Sequence, residues 1–335
     1  MKQGGDGMAA TINDIAAYAG TSKSTVSRYL NGGSISQDVS GRIEKAIEQL
    51  DYQPNVNARR LVKSCTNVIG IVFDDISNYI YGDMMAGIQQ AASRRGYSCI
   101  FLSRSQEKRE SDYLSMFQSS SVDGLVCVTF GKRDAEQVRL LRDSGMPVVL
   151  VGEAAGETDV PTVDVDNMGG TMAEVRWLIT QGHKRIAYLE GPDNMPAAIS
   201  RRRGYLHALE NAGITPDPNL IVKVGWSVKD AYKAVRELAE KEQFTALVGS
   251  NAYSTYGGLQ ALLDKGLRVP QDVAVAGFDD APILQYAKPA ITTLNQPLFQ
   301  MGEMATEQVI NRLQGTGGTS CATYAMPTLV IREST

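Results

Sequence analysis

Residues Thr11 to Asn31 read TINDIAAYAGTSKSTVSRYLN, and the order of residue types in this stretch predicts two short helices joined by a tight turn. Thr11 is placed to cap a helix whose apolar positions, Ile12, Ile15, Ala16 and Ala19, recur at helical spacing, and Asp14 completes a capping-box-like start. Gly20 stops that helix and Ser22 is placed to cap the next, over Lys23–Leu30. Val26, Tyr29 and Leu30 would face inward, leaving Lys23, Ser24, Thr25, Ser27 and Arg28 outward. Asn31-Gly32-Gly33 breaks the pattern, and a third helix is predicted over Val39–Leu50 through Ile43, Ala46, Ile47 and Leu50. Helix, tight turn and a short helix with exposed donors is an arrangement that fits a major groove. Spacing alone equally permits a three-helix bundle whose charges are only solvated.

Residues 1–63 hold eight Lys/Arg against six Asp/Glu, whereas the remaining 272 residues hold 25 against 31. A mildly positive head on an acidic body suits an approach to phosphate by the head alone, and the overall net charge of -4 excludes a uniformly basic coat. With 335 residues, 43% hydrophobic and 21% charged, the chain has enough apolar material for two or three domains and is not a mainly disordered protein. Its apolar runs, such as Met146–Val151, fall far short of the ~20 residues of a membrane span. Met1–Gly7 is polar and glycine-rich, unlike a signal peptide, and reads as a cloning remnant or an extension before an initiator at Met8. Cys65, Cys99, Cys127 and Cys321 are scattered, with no CxxC pair; Cys99 and Cys127 read as buried thiols, which fits a reducing cytoplasm. With only His183 and His207, and without GxGxxG, GxxxxGK[ST] or HExxH, no metal or cofactor is expected. His183, following a helix end, reads as a capping or packing residue.

The run from Thr11 to Asn31 closely resembles the head of the lactose/galactose-repressor (LacI/GalR) family, and Asp51-Tyr52-Gln53-Pro54-Asn55 followed by Ala58-Arg59-Arg60-Leu61 resembles that family's hinge. The resemblance implies that Lys23 and Ser24 read bases, that Arg28 is a further base-reading arginine, and that Thr11, Ser22, Thr25, Asn31, Asn55, Ala58 and Arg59 belong to the same DNA-binding surface, holding phosphates or packing the turn. Val56–Val62 is too short to be a stable helix alone in water. Paired with its twin on DNA it would become one, with Leu61 wedged between central base pairs of the minor groove. The plainer role for Leu61 is that of a linker residue packed on the body.

Beyond residue 64, short apolar strands alternate with amphipathic helices. Strands are predicted at Val68–Phe73, Ser98–Ser103, Gly124–Thr129 and Val148–Gly152, then at Arg185–Glu190, Leu220–Val224, Ala246–Ser250 and Val273–Gly277. Helices are predicted at Asp83–Arg95, Ala135–Ser144, Gly169–Gln181, Ala198–Ala212, Lys229–Lys241 and Tyr253–Lys265. Two such series imply two α/β lobes with parallel sheets, and a ligand cleft beyond the carboxyl ends of the strands.

Asp166-Asn167 with Gly170, Gly182-His183-Lys184-Arg185-Ile186, Gly191-Pro192, Arg201 with Gly204-Tyr205, Gly277-Phe278-Asp279-Asp280 and Arg332-Glu333-Ser334-Thr335 extend the resemblance to the family's effector body and to the periplasmic sugar-binding fold. The fold expected is thus an all-α helix-turn-helix head plus a two-lobed, periplasmic-binding-protein-like (type I) α/β effector domain. The resemblance places the DNA-binding domain at residues 8–53, the hinge at 54–64 and the effector and dimerisation domain at 65–335, with lobe 1 about 65–165 plus 294–325 and lobe 2 about 166–293 plus 326–335. By position it puts Asp74, Tyr79, Arg201, Trp226, Asn251 and Asp279 in the effector pocket, where carboxylates and amides would bond hydroxyls, Arg201 would fork to vicinal oxygens and the indole would cover a sugar face. Plainer readings stay open: Asp279 and Asp280 as helix caps, Trp226 as core, Arg201 as one solvated arginine of three, Asp75 in place of Asp74. Ala252 stands where the family commonly carries an acid, and no terminal leucine heptads follow, so a dimer is expected over a tetramer. The implied partners are near-palindromic double-stranded operator DNA, a second copy of the chain and a small carbohydrate, in the cytoplasm and with no membrane; repression is the implied outcome. A sugar-binding transport receptor, a sugar-processing α/β enzyme using Asp74 with Asp279, and a regulator with a phosphoprotein corepressor are the alternatives.

Overall fold

The computed structural model describes residues 10–30, 33–52, 65–74, 80–103, 122–129, 135–152, 160–318 and 322–335. The chain divides into two compact units, Met1–Thr66 and Asn67–Thr335.

The first unit is helical: α1 (Ile12–Tyr18), α2 (Lys23–Leu30) and α3 (Gln37–Gln49). Thr11 and Asp14 form a full capping box, with the Thr11 hydroxyl and amide both donating to the Asp14 carboxylate at 2.7 Å. Those two hydrogen bonds hold the Asp14 carboxyl below its ordinary range. Gly20 takes a left-handed φ of 59°, which only glycine adopts without strain, and turns the chain toward α2. The core is small: Ile15, Ala16, Ala19, Val26, Ile43 and Ala46. Arg42 of α3 donates to the Ala19 carbonyl at 3.0 Å, satisfying the end of α1, and Tyr29 of α2 donates to Glu44 at 2.9 Å.

The second unit holds two six-stranded sheets. The first sheet contains β1 (Val68–Phe73), β2 (Ser98–Ser103), β3 (Gly124–Val128), β4 (Val148–Val151), β5 (Thr162–Val165) and β11 (Ala322–Ala325), all paired in parallel in the order β11-β5-β4-β3-β1-β2. Alternation along β1 separates its two cores: Ile69, Ile71 and Phe73 pack beneath α4 (Tyr81–Arg94) and α11 (Leu298–Leu313), while Val68 and Val72 join Leu141 of α5 (Ala135–Arg142) on the other face. A Cβ on Gly87 of α4 would collide with the Phe299 backbone, and one on Gly302 with the Met84 carbonyl, so α4 and α11 approach closely at two glycines.

The second sheet contains β6 (Ile186–Glu190), β7 (Ile221–Lys223), β8 (Ala246–Gly249), β9 (Ala274–Phe278), β10 (Thr292–Asn295) and β12 (Thr328–Val330), in the order β12-β10-β9-β8-β6-β7. Ala187, Leu189, Leu247 and Val275 point to one face, covered by α8 (Val228–Lys241) and α9 (Ala252–Asp264). Ile186, Tyr188, Val248 and Ala276 point to the other, covered by α6 (Asn167–Thr180) and α7 (Pro196–Asn211). A short α10 (Pro282–Gln285) follows β9.

The eight strands expected from the sequence are all present, within one or two residues at their ends. Four more, β5, β10, β11 and β12, were not anticipated, and β12 runs antiparallel to β10, so the second sheet is parallel only up to its edge. Cys127 is buried as expected, whereas Cys99 lies half-buried on the edge strand β2, where burial still pushes its thiol up to about 11. His183 meets Thr245 across 3.0 Å, and partial burial lowers its pKa.

The closing residues fasten the second sheet. Ser334, fully buried, donates to the Val275 carbonyl at 2.5 Å and accepts from the Thr292 amide at 2.8 Å. Arg332 forks onto Asp280 at 2.6 and 2.8 Å, with side-chain exposures of 19% and 11%. Asp280 therefore does not cap the following helix, whose N-cap is Ala281. Burial raises the Asp280 carboxyl, but hydrogen bonds from Arg332, Thr293 and Gln285 outweigh it and hold the group below its ordinary range. Asn251 caps α9: its Oδ1 accepts from the Ser254 amide at 2.9 Å, and its own amide donates to Ser254 Oγ at 3.2 Å.

Arg332→Ala, which strands the Asp280 charge, is expected to cost about 3–5 kcal/mol in urea unfolding at neutral pH. Because the folded-state pKa of Asp280 is depressed, this contribution is present above the unfolded value and is lost as pH falls through the folded value, so the gap between wild type and variant narrows in acid. Asn251→Ala is expected to cost about 1 kcal/mol through the lost cap, and Asn251→Asp, which keeps the acceptor, to recover most of it in the same assay.

Candidate functional site

Two sites emerge, one in each unit. In the helical unit, Ser22 begins α2 by accepting from the Thr25 amide at 3.2 Å, and its hydroxyl lies 2.8 Å from those of both Ser24 and Thr25. Lys23, Ser24 and Arg28 are exposed, and among the described residues neither Lys23 nor Arg28 is held by an ion pair or a side-chain hydrogen bond. Gly33 receives the end of α2, its amide donating to the Arg28 carbonyl at 2.8 Å. The turn is thus locked by short hydroxyl contacts while two cations and a hydroxyl stand on the outer face, at the N-terminal end and along the body of a helix that favours anions at its start. Thr11 differs from these: its side chain is engaged in the α1 cap. Asn31 and the hinge residues Asn55, Ala58, Arg59 and Leu61 lie outside the described residues.

In the α/β unit, the remaining site residues follow the carboxyl ends of strands, where backbone groups are left over from the sheet. Arg201, only 4% exposed on α7, donates from Nε to Asn167 Oδ1 at 2.8 Å and from Nη1 to the Ser250 carbonyl at 2.6 Å. Its third nitrogen stands 3.9 Å from Asp279 Oδ1, and its guanidinium lies 3.5 Å from the Phe278 ring centroid and 5.9 Å from that of Trp226. Asp279 sits in the left-handed region at φ 72°, a conformation that Asp tolerates better than most residues, and accepts from Gln296 Nε2. The Trp226 indole packs onto Gly191, where a Cβ would collide with Nε1, and that nitrogen is buried without a partner.

Asp74, at the end of β1, accepts from the Tyr81 hydroxyl and from Thr129 Oγ1 at 3.1 Å. These partners belong to the first sheet's lobe, so the structure joins Arg201, Trp226 and Asp279 to one another and sets Asp74 apart in its own cluster. Asn251 joins them through the neighbouring Ser250 carbonyl while its side chain caps α9. Tyr79, and Asp75 with it, lie outside the described residues. A cavity of about 240 Å³ opens between the lobes, lined by Ile80 and Asp83 from one and Asp279, Asp280, Asn295 and Gln296 from the other side. Asp279 is shared by this cavity and the arginine cluster.

Asn167, Phe278, Gln296 and Asp83 were not placed in the pocket from the sequence, although Asn167 and Phe278 lie within the motifs Asp166-Asn167 and Gly277-Phe278-Asp279-Asp280. Gln296 and Asp83 carry no local signal, because only the passage of the chain between lobes brings them to the cavity. Among the described residues, no group of three or more His, Cys, Asp or Glu is placed to hold a metal ion, and no helix is long and apolar enough to cross a membrane.

Comparison with known proteins finds relatives of both units. Residues 11–55 match the bacterial regulatory proteins of the lacI family, and residues 175–335 match a periplasmic binding protein-like domain. The HTH-type transcriptional repressor CytR of Escherichia coli (strain K12) is 30% identical over 331 residues, 98% of this chain and 96% of its own length. The HTH-type transcriptional regulator CelR of Thermobifida fusca is 31% identical over 336 residues, 97% of this chain and 98% of its own. Among solved structures, a CelR–cellobiose complex covers 97% of this chain and 100% of its own, with a TM-score of 0.74 at 29% identity. The lac repressor dimer bound to operator and an anti-inducer shares the fold, with a TM-score of 0.85 at 24% identity over 98% of this chain and 99% of its own. The relatives are transcription regulators rather than enzymes, which sets aside the sugar-processing reading. The exposed face of α2, the two-sheet body and these full-length matches lead to one conclusion: the chain belongs to the LacI family and is a DNA-binding transcription regulator.

Proposed function

We propose that the protein is a cytoplasmic homodimeric repressor whose two heads occupy the half-sites of a near-palindromic operator and whose affinity for it is set by a small carbohydrate bound between the lobes. The observation that carries this reading is the cluster of buried Arg201 and Asp279 with half-buried Trp226 at the carboxyl ends of the second sheet, beside a cavity that both lobes line. A carboxylate, a guanidinium and an aromatic face are groups that grip vicinal hydroxyls and an apolar sugar face. The cellobiose bound by one structural neighbour supports a sugar as the ligand class.

In this reading Lys23, Ser24 and Arg28 meet base edges, Ser22 and Thr25 set the turn against phosphate, and Leu61 with Asn55, Ala58 and Arg59 spans the minor groove between half-sites. Residues 8–53, 54–64 and 65–335 act as head, hinge and effector body. Asp74 and Asp279 approach the ligand from opposite lobes, so ligand binding changes the lobe arrangement that holds the hinges together. The coupling is reciprocal: a sugar that releases DNA must bind the DNA-bound form less tightly.

The test is selection of bound duplexes from a randomised pool, followed by anisotropy titration of the enriched site against a sugar panel that includes cellobiose. A near-palindrome whose affinity shifts with one sugar is the expected result; enrichment with no sugar effect would overturn the carbohydrate assignment. On the selected site Arg28→Ala is expected to lose about 1–3 kcal/mol and to relax preference at one base pair, and equal losses on random DNA would refute base reading. Arg201→Ala is expected to keep DNA affinity and abolish the sugar response.

A further inference from the structure

Glu174 is the most unusual side chain in the body. It lies on α6, fully buried, and neither carboxylate oxygen has a hydrogen-bond partner. Helical side chains lean toward the N-terminus of their helix, which directs Glu174 back along the face that carries Thr171 and Asn167, the residue that holds Arg201. Arg201 and Asp279 both act on it electrostatically. The Thr171 hydroxyl and the Tyr188 hydroxyl are also buried and unpartnered.

One permanent cation therefore stands near two acids, of which Asp279 reaches the cavity wall and Glu174 is sealed from solvent. Asp279 has the Gln296 amide as donor and the guanidinium at 3.9 Å, whereas Glu174 has neither. An uncompensated negative charge on the unpartnered, fully buried Glu174 would be costly, so Glu174 holds the proton. Burial, the largest influence on Glu174, pushes in the same direction; Arg201 opposes it and Asp279 reinforces it. The other titratable groups facing this space are accounted for. Glu190 pairs with Arg202 at 3.0 Å, Tyr205 donates to the Ile186 carbonyl at 2.8 Å, and Tyr188 stacks on Tyr205. β10 and β12 present no ionisable side chain.

We propose that Glu174 is a positioning residue that holds a proton while Arg201 serves Asp279, and that its deprotonation draws the guanidinium inward, off Asp279 and away from the Trp226 ring. The proton passes to solvent and no other bond changes. The cleft then has two settings, told apart by one buried proton, and the consequence for effector affinity, tighter in the protonated setting, rests on the effector-site reading above.

Trp226 reports on this directly. The chain has two tryptophans, so Trp177→Phe leaves Trp226 as the only indole, with the Arg201 guanidinium 5.9 Å from its ring. A pH titration of indole emission in the full chain is expected to show a one-proton step well above the ordinary carboxylate range. The step should vanish in Trp177→Phe/Glu174→Gln and persist in Trp177→Phe/Glu190→Gln. No step, or a step that survives Glu174→Gln, overturns the proposal. The infrared spectrum of the Trp177→Phe protein needs no change at Glu174: a protonated-carboxyl band that survives above the ordinary carboxylate range and fades across the same step is expected, and its absence just below the step overturns the proposal even if Glu174→Gln does not fold. Neither experiment contains DNA or sugar, so failure here leaves the repressor reading intact, and failure of the operator selection leaves this one intact.

Discussion

A guanidinium cannot shed its charge inside a protein, and the body of this molecule is arranged around that constraint at Arg201. At 4% exposure, the group draws on the N-terminus of α6 through Asn167, the β8–α9 turn through the Ser250 carbonyl, and the end of β9 through Asp279 and Phe278. These are separate elements of the second sheet's lobe, and their carboxyl-end loops converge because one buried cation needs all of them. Asp279 accepts a left-handed backbone conformation to take part. The same aspartate forms a wall of the cavity between lobes, so whatever alters its charge or position is felt on both sides.

The head obeys a different economy. Its core has six buried residues, too few to fix three helices by burial alone, and local hydrogen bonds supply the rest. Thr11 with Asp14, Ser22 with Thr25, Arg42 with the Ala19 carbonyl and Tyr29 with Glu44 each close one gap in the helical hydrogen bonding or join two helices. Lys23 and Arg28 take no part in any of these contacts.

How much of this was legible depends on whether the cause is local. The head was readable nearly to the residue, since caps, glycine stops and helical spacing act within four positions; α2 begins and ends where its sequence says. β1 and β2 were equally plain, as continuous apolar or alternating runs. Thr162–Val165, Thr292–Asn295, Ala322–Ala325 and Thr328–Val330 escaped notice because three or four residues, rich in threonine, carry no periodic signal. They are strands only because neighbouring strands await them. In the site, Arg201, Trp226 and Asp279 were named from motif position, and their meeting is a fact of the fold. Glu174 carries no local signal; its isolation appears only when α6 is laid against α7 and the sheet.

The path of the chain also governs how the protein is made. After β5 the chain leaves the first lobe for α6; after β10 it returns as α11, builds β11, and crosses again to β12. The first lobe thus lacks one covering helix and one edge strand until residues 298–325 have emerged from the ribosome, although its other strands were complete at Val165. The head, by contrast, has its core within residues 12–52 and can fold once they clear the exit tunnel. A nascent chain therefore carries a finished nucleic-acid-binding head for most of the time its body is still an open sheet with an exposed apolar face. That interval, rather than the stability of the finished protein, is when a chaperone has most to cover and when unpaired β5 has most opportunity to meet the wrong strand.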